Sequence, residues 1–245
     1  MADYQTIRTA GVGTRTAQID TGLRAHMNKV YGLMSVGMLL TGAVAWAVGT
    51  SDALMQVFRT AEGSITILGL VVMFAPLIMF FAFGAVINRL SVAGAQLFFY
   101  AYAAVWGLSL AWIFQALTGV SIAQTFLITA IAFAGLSLYG YTTKKDLSGF
   151  GTFLMMGVIG LVVAMIVNIF LASSALMFAI SVIGVLIFAG LTAYDTQNIK
   201  NTYLQHAQAG DSEWLGKAAI MGALQLYLDF INLFLFLLHF MGNRE

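Results

Sequence analysis

The chain has 245 residues, of which 60% are hydrophobic and only 9% charged, with a mean hydropathy of +0.91. An ordinary soluble domain is about 45–50% apolar and about 25% charged, so this composition describes a polytopic membrane protein. The net charge of +1 gives no basic footprint for nucleic acid, and the absence of cysteine excludes disulfides and cysteine–metal sites.

Residues 1–25 are polar, carry Arg8, Arg15 and Arg24, and read as a flexible tail without the features of a cleaved signal peptide. Residues 26–245 read as a single domain. A spanning helix needs roughly 20 mostly apolar residues. Seven runs qualify: 30–49, 65–87, 92–117, 120–142, 147–172, 174–194 and 218–240. They are long and continuously apolar, without the alternation of a membrane barrel. The predicted class is therefore an all-α integral membrane protein, a bundle of seven transmembrane helices.

The first run follows Lys29, and Trp46 near its end suits an interfacial belt. Pro76, the only proline, falls midway in the second run, where it should kink the helix and free a backbone carbonyl. Arg89 lies in the turn before the third run, and Lys144 and Lys145 lie in the turn after the fourth. The fifth run carries Asn168. The sixth ends at Asp195 in "GLTAYDTQNIK", and a polar connection over 195–217 follows, with Gln205, His206, Gln208, Asp211 and Glu213. The seventh holds Asp229 within "LYLDFINLFLFLLHF", about eleven residues, or roughly 16 Å, from its start.

Nine of the eleven basic residues fall on one side of the seven runs: Arg8, Arg15, Arg24, Lys29, Arg89, Lys144, Lys145, Lys200 and Lys217. Only Arg59 and Arg244 fall on the other. The positive-inside rule then predicts a cytoplasmic N-terminus. The length of run 218–240 favours a full span and an external C-terminus, whereas a re-entrant run would put both ends inside with a 10 to 1 split that charge does not distinguish. The 25 glycines include no G-x-x-x-G spacing, so they are expected to let helices approach within one bundle. His26, His206 and His239 share no metal-ligand spacing, and no cofactor is expected.

An ionised carboxylate inside hydrocarbon costs at least about 2.5–3.5 kcal/mol at a helix centre, which makes Asp229 a functional candidate. Gln225, Asp229 and Asn232 share one helical face, as do Thr192, Asp195 and Asn198. Such stripes face a bundle interior or a water-filled cavity, and Asn168 is a further candidate for the same pathway. If the two aspartates meet, they cannot both ionise cheaply, and a shared proton makes them a latch. Hydropathy sets them about 10–15 Å apart in depth by helix rise, so tilt or a water vestibule is needed to join them.

The stretches "LTAYDTQNIK", "GALQLYLDFINLFLFLL", "SLYGYTTKKDLSGFG" and "HMNKVYGLMSVGMLLTG" together resemble the Bax inhibitor-1 family, in its bacterial branch. The resemblance runs from about residue 20 through nearly the whole chain. It implies an inner-membrane protein with the last helix at the centre, ringed by the other six. It also implies that Asp195 and Asp229 form a pH-sensing pair gating a calcium leak, and that Arg89 in "INRLS" approaches them. The two carboxylates with Gln225, Asn232 and Asn168 would then offer a weak, transient site for calcium, which takes six to eight oxygens. Where some relatives carry an acidic residue in the second helix, this chain has only "MFAPLIMFF".

Two other classes fit less well. Intramembrane aspartyl proteases also pair aspartates on adjacent helices. Their second motif is G-x-G-D, however, whereas this chain has Leu226-Tyr227-Leu228-Asp229 and lacks their proline-containing loop, so no enzyme is expected. The resemblance also allows an interaction protein that regulates membrane proteases or cell-survival factors. The expected partners are thus cations, protons, the lipid bilayer and other membrane proteins. Ion flux in liposomes holding only this protein separates a transport role from an interaction role.

Overall fold

The computed structural model describes residues 3–60, 63–207 and 211–241, with side chains described from residue 19. Gln208 and Arg244 lie outside that set, as do the side chains of Arg8 and Arg15. The helices are α1 (Asp3–Gly49), α2 (Asp52–Phe58), α3 (Ile67–Val86), α4 (Val92–Leu110), α5 (Ile113–Ala116), α6 (Gly119–Thr142), α7 (Ser148–Leu171), α8 (Ser174–His206) and α9 (Ser212–Met241). A 3-10 turn over Ile87–Arg89 extends α3. Seven of these helices are long and apolar enough to cross a membrane: α1 from Ile19, α3, α4, α6, α7, α8 and α9.

Short connections are possible because hydroxyl residues start the helices. The side chains of Thr66, Ser91, Thr118 and Ser173 accept from the backbone N–H groups of Gly69, Gly94, Ser121 and Leu176. Each satisfies a donor that the first helical turn would otherwise leave unpaired. At the start of α7, the Ser148 hydroxyl and then its N–H, which donates to Asp146 Oδ1 at 2.9 Å, hold this exposed carboxyl below its usual range. The carbonyl that Pro76 frees is also satisfied: the Val72 oxygen accepts from Ser109 Oγ of α4 at 2.5 Å. The proline thus ties two helices together as well as interrupting one.

The last helix is the centre of the bundle. Of its spanning window 67% is buried, against 17% for α3 and 11% for α7. It packs on α8, α1, α6 and α4, whereas α3 packs on α4 and α7 on α8. The ring expected around α9 is therefore mainly a wall of four helices, with α3 and α7 supported from outside it. The outer surface is strongly apolar: Ile67 is 82% exposed and Phe170 is 83% exposed. Such a surface is a liability in water and suits a lipid-facing wall.

Two expected boundaries need correction. The polar connection placed at 195–217 is mostly helix, since α8 continues to His206 and α9 begins at Ser212. At 33 residues, α8 is about 50 Å long against a hydrocarbon core of about 30 Å. Hydropathy marks where a helix leaves apolar surroundings, not where its backbone hydrogen bonds stop. Thr196, Gln197, Ile199 and Tyr203 are all buried on this extension. The tail expected over 1–25 also overlaps the bundle, because Leu23 is buried in the main core cluster.

Candidate functional site

The antiparallel pair α8–α9 carries both aspartates. Gly222 faces Ile199, and Gly184 faces Phe236, which fixes the register of the two helices. On that register Asp195 stands about one turn, or roughly 5 Å, from the level of Asp229. Helical side chains tilt toward the N-terminus of their own helix. Because the helices run oppositely, Asp195 and Asp229 lean toward one another and close the gap. Their carboxyl groups lie in hydrogen-bonding contact. The large depth mismatch expected from hydropathy came from ending the sixth helix too early.

Asp229 is buried at 4% exposure, and its Oδ2 has no hydrogen-bond partner among the described residues. Asp195 is half-buried. One turn away, Asn198 and Gln225 line a cavity of about 270 Å³ together with His26, Lys217 and the exposed Asn88. The polar stripes read from the sequence therefore lead from the two carboxyls to a polar vestibule at the end of the bundle.

The remaining candidates divide. Thr192 is fully buried and donates to the Phe188 carbonyl at 2.8 Å. The Asn232 amide donates to the Leu228 carbonyl at 2.8 Å, within its own helix. Asn168 does not join the pair. It sits in the last turn of α7, roughly 25 Å of helix rise from Asp195, and its Oδ1 accepts from the Ser173 N–H at 3.1 Å. There it finishes the turn made by Ala172, whose φ of 47° is left-handed. Arg89 does not approach the aspartates either. It is exposed at the end of the 3-10 turn, and among the described residues the ion pair is Lys217–Glu213. A residue in a helix-to-helix turn follows the turn, and this one leaves the bundle.

The residues flanking the aspartates were not singled out from the sequence, and they anchor the site. Gln197 accepts from the Leu147 N–H at 2.8 Å and donates to the Lys145 carbonyl at 2.7 Å, clamping the α6–α7 turn to α8. Lys200 donates to the Tyr141 carbonyl at 2.7 Å and sits over the same residue's ring. Thr196 Oγ1, Ser137 Oγ and Tyr31 OH form a hydroxyl chain across α8, α6 and α1, with steps of 2.9 and 2.7 Å. Beside Asp229, Tyr227 is fully buried and its hydroxyl lies 2.8 Å from Thr41 Oγ1. The available signal was a run of polar side chains on otherwise apolar helices, one or two residues from each aspartate.

Two carboxyl groups offer four oxygens, fewer than calcium takes. Among the described residues no third acidic or histidine side chain joins them. The set can meet a passing cation but does not enclose one.

A seven-helix, all-α membrane bundle is the class that the fold defines. The chain belongs to the family described as inhibitor of apoptosis-promoting Bax1, which it matches over residues 23–245. It is 49% identical over 224 residues to the inner membrane protein YbhL of Escherichia coli (strain K12), covering 91% of this chain and 94% of that protein. A Caulobacter vibrioides protein is 48% identical over 232 residues, covering 93% and 92% of the two chains. A Rickettsia prowazekii protein is 43% identical over 246 residues and matches at full length on both sides.

Proposed function

We propose that the chain is an inner-membrane cation leak, with calcium its expected cargo, gated by a proton shared between Asp195 and Asp229. The observation that carries this reading is the contact between the two carboxyl groups beside a polar vestibule. Carboxyl groups in contact away from bulk water are held together by a proton between them. With that proton, α8 and α9 are tied. As pH rises the proton is lost, and two like charges in a low dielectric repel, so the helices part or water enters and flux increases. A calcium ion at the same oxygens competes with the proton, and an incomplete oxygen set favours passage over storage. The excess of basic residues on one side supports a cytoplasmic N-terminus and vestibule.

Purified protein in liposomes loaded with a calcium dye tests the reading across a pH series. Wild-type flux should rise with pH. Asp195→Asn and Asp229→Asn should each flatten the profile, because an amide does not titrate, and the double variant should match either single one. A profile that survives either change would remove the aspartates from the gate.

A further inference from the structure

Helices α1 and α6, joined by the Tyr31–Ser137 hydrogen bond, flank two adjoining cavities of about 750 and 530 Å³. Met38, Leu39, Phe126 and Phe230 line both, so they form one groove floored by α9. Leu39 and Leu138 at its rim are 72% and 62% exposed, so it opens sideways toward lipid. It extends along α1 from Arg24 to Ala45, about 30 Å, close to the thickness of a hydrocarbon core.

The lining is polarised along that length. Arg24, Asn28, Tyr31 and Ser35 stand at i, i+4, i+7 and i+11 on the groove face of α1, opposite Ser137 and Tyr141 of α6. Toward the other end the lining is almost wholly apolar. Among the described residues the polar end holds one cation, an amide and several hydroxyls, and no carboxylate lines either cavity. That chemistry suits an anionic, acceptor-rich head and repels a cation. The methionine, phenylalanine and leucine walls disfavour a column of water, since apolar cavities stay dry. The ligand must therefore be amphiphilic, with an anionic head and a long apolar tail.

We propose that the α1–α6 groove holds one anionic phospholipid, its phosphate and glycerol oxygens at the Arg24–Asn28–Tyr141 end and an acyl chain along the apolar remainder. The lipid completes the wall that α1 and α6 leave open, and it lies against Phe230, the residue next to Asp229. This binding does not depend on whether the protein conducts ions.

Native mass spectrometry of the full chain, delipidated in detergent and titrated with phosphatidylglycerol or phosphatidylcholine of the same acyl chains, tests it. One phosphatidylglycerol should be retained under activation that strips the rest, with about fivefold preference over phosphatidylcholine, the factor for one cationic side chain at a lipid surface. Arg24→Gln should remove the preference. Ala134→Trp, which fills the groove, should remove retention, whereas Leu186→Trp on the exposed face of α8 should not. A photoactivatable phosphatidylglycerol should label wild-type protein within residues 24–39 and 119–141, which keeps the test open if Ala134→Trp does not fold. Equal retention of both lipids, lipid retained by folded Ala134→Trp, or labelling spread over the outer helices would overturn the proposal.

Discussion

Replacing each aspartate by leucine, singly and together, should show an asymmetry set by burial. Asp195→Leu leaves Asp229 at 4% exposure without its partner, while its Oδ2 already has none among the described residues. Stranding a buried polar group costs about 1–3 kcal/mol, more for a charged one, so this variant should sit at the upper end. Asp229→Leu leaves Asp195, which is half-buried and one turn from the Asn198 vestibule, where water can reach it. Its cost should be about 1 kcal/mol. With both carboxyls gone nothing polar is stranded, so the double variant should be more stable than Asp195→Leu alone. The coupling should be about 1–3 kcal/mol, above the average of about 0.6 kcal/mol for interhelical hydrogen bonds in membranes, because this bond is charge-assisted. Reversible unfolding in mixed micelles, followed by circular dichroism, measures all four proteins. Additive costs, or a larger loss from Asp229→Leu than from Asp195→Leu, would refute the shared contact as the reason Asp229 is tolerated.

Arg89→Ala should leave the pH midpoint of flux where it is, because the exposed guanidinium is not paired with the aspartates; a shifted midpoint in the liposome assay would show otherwise. Ser109→Ala should cost about 1 kcal/mol by stranding the Val72 carbonyl, and adding Pro76→Ala should recover most of it in the same unfolding experiment. Gln197→Ala removes both clamps on the α6–α7 turn, so trypsin should cut faster after Lys144 and Lys145 with the vestibule side exposed. Reporter fusions should place residue 1 and residue 245 on opposite sides of the membrane; a same-side result would mean that α9 does not cross.

The seven spans are legible in the sequence because each is apolar for its full length. What periodicity and hydropathy cannot supply is the partner of a polar residue. Asp229 stands out because its neighbours are leucine and phenylalanine, yet its contact depends on the register of α8 against α9, which Gly184 and Gly222 set. Asp195 looks like a helix end because polar residues follow it, although Thr196, Gln197 and Tyr203 are buried there. Asn168 looks like part of a polar pathway because it is an amide in an apolar run. Its position five residues before Ser173 is the cue that it serves the turn. The freed carbonyl at Pro76 was readable in advance, but that Ser109 takes it was not, since the two lie on separate helices.

The burial of α9 also bears on how the bundle is made. Helices α1, α4, α6 and α8 all rest on a segment that follows them in the chain. A chain synthesised from its N-terminus therefore inserts six spans before the scaffold they share exists. Until α9 arrives, the faces meant for it, including Thr41 and Asp195, have only lipid, water or one another as neighbours. Assembly should then be a late, all-at-once event, and a ribosome stalled before Ser212 should carry inserted but loosely associated helices that a membrane protease can distinguish from the finished protein.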